Sequence, residues 1–158
     1  MNLKFREANS KDYTEVCKLT IDVYKLHLKN RQDVYLDIEN PLEKNYFYDL
    51  LNSSDTKLFV VESDDTKELV AYSIIQIMSM KNPIYIPKKF VYIDDFCVKS
   101  NFKRIGIGRL LFSHIVDYVK SEKFTSLQLN VWEFNEDAIK FYETMGMSKR
   151  NRRMEFNL

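Results

Sequence analysis

Glycine is almost absent from this chain, so the few positions where it occurs constrain the backbone strongly. Only Gly106, Gly108 and Gly146 are present among 158 residues, against an average of about 7% in proteins. Glycine adopts backbone conformations, and permits close approaches, that a Cβ atom would forbid. Two of the three glycines lie one residue apart, which indicates a special backbone geometry at that point.

The two neighbouring glycines lie in the segment KRIGIGR, residues 103–109, before a predicted amphipathic helix. The first N–H groups of a helix have no partner inside it, and the helix dipole adds partial positive charge there. Glycine lets a phosphate come close to those groups, although a tight turn from strand to helix is the alternative explanation. We predict that a pyrophosphate binds to the whole segment: Lys103, Arg104, Ile105, Gly106, Ile107, Gly108 and Arg109.

The segment matches neither of the two common nucleotide-binding motifs. A P-loop requires G-x-x-x-x-G-K-[ST], and a dinucleotide-binding turn requires a third glycine where this chain has Leu111. The sequence therefore indicates a phosphate-bearing ligand that is held in another geometry.

The hydrophobic pattern predicts one mixed α/β domain over residues 1–158. Apolar residues that alternate or form β-rich runs predict strands, and apolar residues at helical spacing predict helices. The predicted strands cover residues 3–8, 57–63, 69–80, 91–98, 126–132 and 153–158. The predicted helices cover residues 13–28, 42–52, 106–120 and 136–145, the last closed by Gly146.

Composition and charge argue against several classes of protein. The net charge is only +1, which predicts no general attraction to nucleic acid or to an anionic membrane. No apolar run approaches the roughly 18 residues of a membrane span, and the first residues lack a secretory signal. Cys17 and Cys97 have no metal-type spacing. These features predict a cytoplasmic protein with reduced thiols and no metal site.

Two motifs in the second half of the chain resemble the GNAT superfamily of N-acetyltransferases. The stretch VYIDDFCVKSNFKRIGIGRLLF resembles that family's [RQ]-x-x-G-x-[GA] motif and the strand before it, with Lys103 in place of arginine or glutamine. Lysine keeps the charge but not the forked donors of arginine. The second stretch, NVWEFNEDAIKFYETMGM, contains the complete N-x-x-A-x-x-[FL]-Y-x-x-x-G motif, with its residues at Asn135, Ala138, Phe141, Tyr142 and Gly146.

The resemblance implies both a fold and a cosubstrate. It implies a mixed, mostly antiparallel sheet flanked by helices, in which the parallel strands 91–98 and 126–132 splay apart and hold acetyl-coenzyme A. The pantetheine arm would pair like an added strand with backbone groups of Phe96, Cys97 and Val98, a mode that needs no particular side chains. Asn135 and Ala138 would also contact the coenzyme.

The resemblance also assigns a role to Tyr142. In that family a tyrosine at this position protonates the departing thiolate, and a phenol with a pKa of about 10 carries a proton at neutral pH. The alternative is an ordinary aromatic residue on the buried face of the last helix. Neither cysteine occupies a motif position as an acyl carrier, so we expect direct attack in a ternary complex.

Asp94 and Asp95 are consecutive carboxylates inside an apolar strand. Because neighbouring strand residues point to opposite faces of a sheet, at least one of them needs an explanation. The pair resembles the acidic pair of some GNAT enzymes, which implies that Asp94 serves as the base and that Asp95 binds the substrate cation. The alternative is that both only bond to the backbone or to a lysine.

The acceptor is the part of the function that these residues leave open. Trp132 and Glu133, at the end of a predicted strand, are candidate substrate contacts, although packing explains the tryptophan equally well. Transfer of an acetyl group to the primary amine of a small molecule is our main hypothesis. Acetylation of a protein amine and sensing of acetyl-coenzyme A without turnover are the alternatives. Family members often form homodimers, and these residues do not decide whether this chain does.

Overall fold

A five-stranded sheet forms the centre of the computed structural model, which describes residues 2–158. The strands follow one another across the sheet in chain order, and every neighbouring pair is antiparallel except the last, which is parallel. They are β1 (Leu3–Glu7), β2 (Thr56–Ser63), β3 (Leu69–Ser79), β4 (Lys89–Val98) and β5 (Leu127–Leu129). The predicted mixed, mostly antiparallel sheet is therefore confirmed.

Helices cover both faces of this sheet and divide the core into two apolar clusters. The helices are α1 (Tyr13–Asn30), α2 (Lys44–Asn52), α3 (Ile107–Ser121) and α4 (Glu136–Thr144), with 3-10 turns at Ser10–Asp12 and Ser100–Phe102. Successive residues of a strand point to opposite faces. Accordingly Ile74 packs in the cluster with Phe47 of α2, and Ile75 packs in the cluster with Leu111 of α3. Within residues 2–158, every helix is too short or too polar to span a bilayer.

The strand β4 contains one residue more than its neighbour β3 at a β-bulge. Asp95 lies opposite Ile74, whereas Ile93 lies opposite Ile75, so Asp94 is the extra residue. On the other side, β4 pairs with β5 only from Val91 to Ile93. The residues of β4 beyond the bulge therefore have no β5 partner, and the two parallel strands leave a gap between them.

The bulge reverses which face of the sheet each β4 side chain reaches. Val91 and Ile93 pack in the α3 cluster, whereas Cys97 packs in the α1 and α2 cluster. The expectation that Asp94 and Asp95 point to opposite faces is wrong, because the strict alternation of a strand fails at an inserted residue. Their partners Gln76 and Tyr72 both lie on the α1 and α2 side of β3.

Two predicted strands differ from the structure. The predicted strand 126–132 is reduced to Leu127–Leu129, because its partner bulges away after Ile93. The predicted strand 153–158 is wrong, since this segment has no strand structure. Met154 and Phe156 are 84% and 87% exposed. An alternating pattern gives a strand only where a neighbouring edge supplies backbone hydrogen bonds.

Candidate active site

The N-terminus of α3 presents a group of backbone donors at the end of β4. The first-turn N–H groups of Ile107, Gly108 and Arg109 have no acceptor within the helix. In the turn that precedes them, Arg104 and Gly106 have left-handed conformations, with φ of 66° and 95°. Within residues 2–158, no backbone acceptor binds the N–H groups of residues 104–106. This turn suits an anion because donors and dipole point the same way.

The two glycines of this turn differ in backbone conformation and in their surroundings. Gly106 caps α3 with a positive φ, and a Cβ atom there would meet nothing within 4 Å. A Cβ atom on Gly108 would lie 3.4 Å from Val98 Cγ2 and 3.5 Å from Phe141 Cε2. Gly106 therefore permits the turn, whereas a Cβ atom on Gly108 would make ordinary van der Waals contacts with β4 and α4 beside the gap.

The predicted cationic side chains of the turn are all exposed. Arg104 Nη2 lies 3.0 Å from Asp137 Oδ1, but the two side chains are 82% and 81% exposed. An ion pair this exposed contributes little to stability. The guanidinium can therefore exchange Asp137 for a phosphate at small cost. The exposed side chains of Lys103 and Arg109 can also reach toward an anion in solvent.

The backbone beyond the bulge faces the gap only at alternate residues. The Lys99 N–H donates to Val70 O at 2.8 Å, toward β3. Because strand groups alternate in direction, Val98 directs its N–H and C=O toward the gap. The Phe96 N–H is already bound to Asp95 Oδ1 at 2.9 Å. Of the three residues predicted to pair with pantetheine, Val98 thus has both backbone groups open, Phe96 has only its C=O open, and Cys97 faces β3.

Cys97 lies in the core and has no character of a nucleophile. Its side chain is 4% exposed, and its Sγ lies 3.5 Å from Leu19 O. Burial, assisted by the charge of Asp95, raises the pKa of the Cys97 thiol to about 12. A thiol in that state is not a thiolate at neutral pH.

Tyr142 lies among aromatic rings where α4 meets β4. Its ring centroid is 6.2 Å from that of Phe96 and 6.2 Å from that of Phe112. Burial and then the charge of Asp95 raise the pKa of the Tyr142 hydroxyl well above its ordinary value. The phenol therefore keeps its proton at neutral pH and is available as a proton donor.

The second sequence motif encodes the two ends of α4. Asn135 Oδ1 accepts the Ala138 N–H at 3.3 Å, which caps the start of the helix. At the other end, Gly146 has φ of 90° and the Met147 N–H donates to Tyr142 O at 3.0 Å. Together with the bond from the Gly146 N–H to Glu143 O at 3.0 Å, this bond forms a Schellman motif. Asn135, Ala138 and Gly146 thus determine the length of the helix that carries Tyr142.

The two aspartates at the bulge have different surroundings on the same face. Asp94 is exposed, yet partial burial raises the pKa of its carboxyl, and a hydrogen bond from Gln76 opposes that shift. Asp95 accepts the Tyr72 hydroxyl at Oδ2 and the Phe96 N–H at Oδ1. Burial still raises the pKa of Asp95 to about 6. Asp94 has the more open carboxylate, and Asp95 is held by the protein itself.

An acidic cleft of about 400 Å³ lies between α2 and the ends of β2 and β3. Burial and then the charges of Asp94 and Asp95 raise the pKa of Tyr46, a residue of α2 that lines the cleft. Sequence reasoning missed the cleft because its residues come from separate elements. It is lined by Tyr46, Asp49, Leu50, Ser53, Asp55, Thr56, Gln76, Ile77 and Met78.

Trp132 belongs to an aromatic cluster that joins the end of β5 to the segment after α1. Its Nε1–H donates to Tyr35 Oη at 3.0 Å, and its ring lies 5.9 Å from Phe134. The Arg31 guanidinium lies 4.5 Å from the centre of the Trp132 ring, a cation–π distance. These contacts give the tryptophan a packing role, whereas the neighbouring Glu133 is exposed.

A family comparison decides what this arrangement is. The sequence model of the acetyltransferase (GNAT) family matches residues 20–147. The chain belongs to the GNAT acetyltransferase family. The predicted enzyme class, an N-acetyltransferase, is confirmed, and GNAT enzymes in general take their acetyl group from acetyl-coenzyme A.

Solved structures agree with this GNAT assignment. A four-site mutant of the BH1408 protein from Bacillus halodurans is 33% identical, with 98% of this chain and 99% of that chain covered and a TM-score of 0.94. An aminoglycoside acetyltransferase from an uncultured soil metagenomic sample is 18% identical, covers 99% of this chain and 96% of its own, and has a TM-score of 0.72. At that identity the second likeness shows the fold alone.

A curated relative shares a shorter segment with this GNAT chain. The ribosomal protein bS18-alanine N-acetyltransferase of Salmonella typhimurium is 31% identical over 62 residues. The match covers 39% of this chain and 42% of the relative. The chain thus matches less than half the length of that enzyme.

The raised pKa of Asp95 predicts how stability depends on pH. The pKa of Asp95 is about 6 in the folded protein and about 3.9 in the unfolded chain. Protonated Asp95 therefore contributes to the free energy of unfolding in full below pH 4. This contribution is lost as pH rises through 6. We expect Asp95→Asn to become more stable relative to wild type between pH 4 and pH 7, by about 2–3 kcal/mol. Urea unfolding at several pH values measures this, and a difference independent of pH contradicts it.

Proposed function

We propose that this protein transfers the acetyl group of acetyl-coenzyme A to the primary amine of a small molecule by direct attack. The observation that carries the proposal is the position of the α3 donors at one end of the gap between β4 and β5, with Tyr142 and Asp94 beside the same stretch of β4. Backbone donors of residues 104–109 would hold the pyrophosphate, and Val98 would pair with the pantetheine arm. Acetyl-coenzyme A supplies an acetyl group activated as a thioester. We place the reaction in the cytoplasm.

Two side chains then act as general base and general acid in the reaction. Asp94 accepts a proton from the incoming ammonium, directly or through water, and its raised pKa makes it a better base than an ordinary aspartate. Tyr142 donates its proton to the departing sulfur, because the phenol is protonated at neutral pH. The nitrogen–carbonyl bond forms and the carbon–sulfur bond breaks. The nitrogen loses its second proton, which returns Tyr142 to the neutral phenol, and the free thiol leaves.

The acidic cleft supports a positively charged acceptor. Asp49 and Asp55 line it, and its nine lining residues include no lysine or arginine. Gln76 links the cleft to Asp94, because it lines the cleft and lowers the pKa of that carboxyl. A cation is favoured at such a surface. The roles of Asp95, Trp132 and Glu133 as direct substrate contacts stay predictions.

An N-terminal protein amine is the second candidate acceptor. The similarity to the Salmonella alanine N-acetyltransferase favours it. An exposed peptide end would reach the same base and the same proton donor, so the chemistry is unchanged and only the acceptor surface differs.

An assay of thiol release from acetyl-coenzyme A separates the two acceptors. We expect turnover with small diamines and other cationic amines to exceed turnover with peptides that begin with alanine by at least about tenfold, because the cleft is acidic. Asp49→Asn should raise the KM for the amine and leave the KM for acetyl-coenzyme A unchanged. Faster turnover of the peptides would favour the second candidate, and no turnover of any amine would contradict the proposal.

Tyr142→Phe tests the proton donor directly. The ring and its packing against Phe96 remain, so the affinity for acetyl-coenzyme A should stay within about twofold. The loss of one general acid should lower kcat by about 100-fold. Steady-state kinetics and calorimetry measure the two effects separately. Full turnover in this variant would remove Tyr142 from the mechanism.

Gly106→Ala tests the anion site against a matched control. Gly106 and Gly146 have positive φ, and a Cβ atom on either would meet nothing within 4 Å, so each alanine costs about 1 kcal/mol in backbone strain. Only Gly106 is at the start of α3. We therefore expect Gly106→Ala to weaken acetyl-coenzyme A binding at least fivefold in calorimetry, whereas Gly146→Ala binds it normally. Equal affinities in the two variants would mean that the turn does not hold the coenzyme.

A further inference from the structure

A partly buried chain of hydrogen bonds connects α1, β3 and β4 at the bulge. Thr20 Oγ1 lies 3.0 Å from Tyr72 Oη, and the Tyr72 hydroxyl donates to Asp95 Oδ2. Asp95 Oδ1 accepts the Phe96 N–H at 2.9 Å, and the Ser73 hydroxyl donates to Asp95 O at 2.8 Å. Tyr72 and Ser73 are completely buried. Asp95 is thus held through both carboxylate oxygens and its own carbonyl.

The chemistry of this chain of bonds is costly for an apolar core. Tyr72 packs among Phe47, Leu50 and Ile74, where hydrophobic side chains of similar size would cost less than a carboxylate and a phenol. A buried carboxylate is tolerated when donors satisfy its oxygens, and a buried phenol needs an acceptor. Tyr72 and Asp95 meet each other's requirement, so each fixes the position of the other.

The chain of bonds leads through Phe96 to the proposed proton donor. Phe96 presents its ring to Tyr142 edge to face, with centroids 6.2 Å apart, and to Phe141 at 5.7 Å. The backbone of Phe96 is fixed by the bond to Asp95. A rotation of Asp95 would release the Phe96 amide and move the ring against which Tyr142 packs.

We propose that Tyr72 is a positioning residue, whose hydroxyl holds Asp95, so that Asp95 holds the Phe96 amide and Phe96 holds the ring of Tyr142. Tyr72 lies in the core and acts only through these neighbours. The inference rests on the proposed role of Tyr142 as proton donor. Without the Tyr72 hydroxyl, Asp95 Oδ2 loses its buried donor, and the side chain is free to turn away from Phe96.

Tyr72→Phe removes only this hydroxyl, and Tyr13→Phe is its matched control. The Tyr13 hydroxyl donates to Leu42 O at 3.0 Å, and its ring packs on Phe47 of the same core cluster. Each variant loses two hydrogen bonds, because the Tyr72 hydroxyl also accepts from Thr20 Oγ1 and the Tyr13 hydroxyl also accepts from Asn40 Nδ2. We expect Tyr72→Phe to lower kcat about tenfold with the acetyl-coenzyme A affinity within about twofold, whereas Tyr13→Phe keeps both values within twofold.

A double variant shows whether Tyr72 acts through Tyr142. In the Tyr142→Phe background, Tyr72→Phe should cause no further loss of kcat, because the group that it positions is gone. A full tenfold loss in that background, or wild-type kcat in Tyr72→Phe alone, would overturn the inference and leave the proposed function intact. Full turnover in Tyr142→Phe alone would instead show that the proton donor itself is misassigned, and the inference would fail with it.

A second variant keeps the inference testable if Tyr72→Phe does not fold. Asp95→Ala breaks the same chain of bonds at the next residue and removes no aromatic ring from the core. It should lower kcat at least tenfold with unchanged affinity for acetyl-coenzyme A, and urea unfolding should confirm that it is folded. Wild-type kcat in folded Asp95→Ala would overturn the inference.

Discussion

The gap between β4 and β5 and the orientation of Asp94 and Asp95 both depend on one inserted residue in β4. The bulge at Asp94 ends the parallel pairing with β5 after Ile93, which opens the gap between the two strands. It also turns Asp94 and Asp95 toward the same face, where α2 and its acidic cleft lie. A regular strand would have paired further along β5 and would have sent one carboxylate into the other cluster.

The gap has a surface for an anion because of how the chain leaves β4. The turn into α3 uses left-handed residues at Arg104 and Gly106, so its N–H groups are not used by the strand or the helix. The start of α3 lies beside Val98 and Phe141. Unsatisfied N–H donors destabilise a protein when they are buried in a core. At the end of the gap between β4 and β5 they are available to a ligand.

The polar groups in the core also reduce local stability, as unsatisfied donors do. Tyr72 and Asp95 replace hydrophobic packing with hydrogen bonds at the one place where β4 departs from regular structure. Natural proteins break the rules of local consistency mainly at functional sites.

The sequence by itself determined the features that depend on neighbours along the chain. The Gly146 termination, the turn at Gly106 and most helices and strands follow from local hydrogen bonding and periodicity. The tertiary structure alone decided the bulge, the shared face of Asp94 and Asp95, the cleft beside Tyr46 and the lack of a strand at 153–158. These features depend on which strand edge lies beside which, and hydrogen bonds between distant segments leave no periodic trace in the sequence.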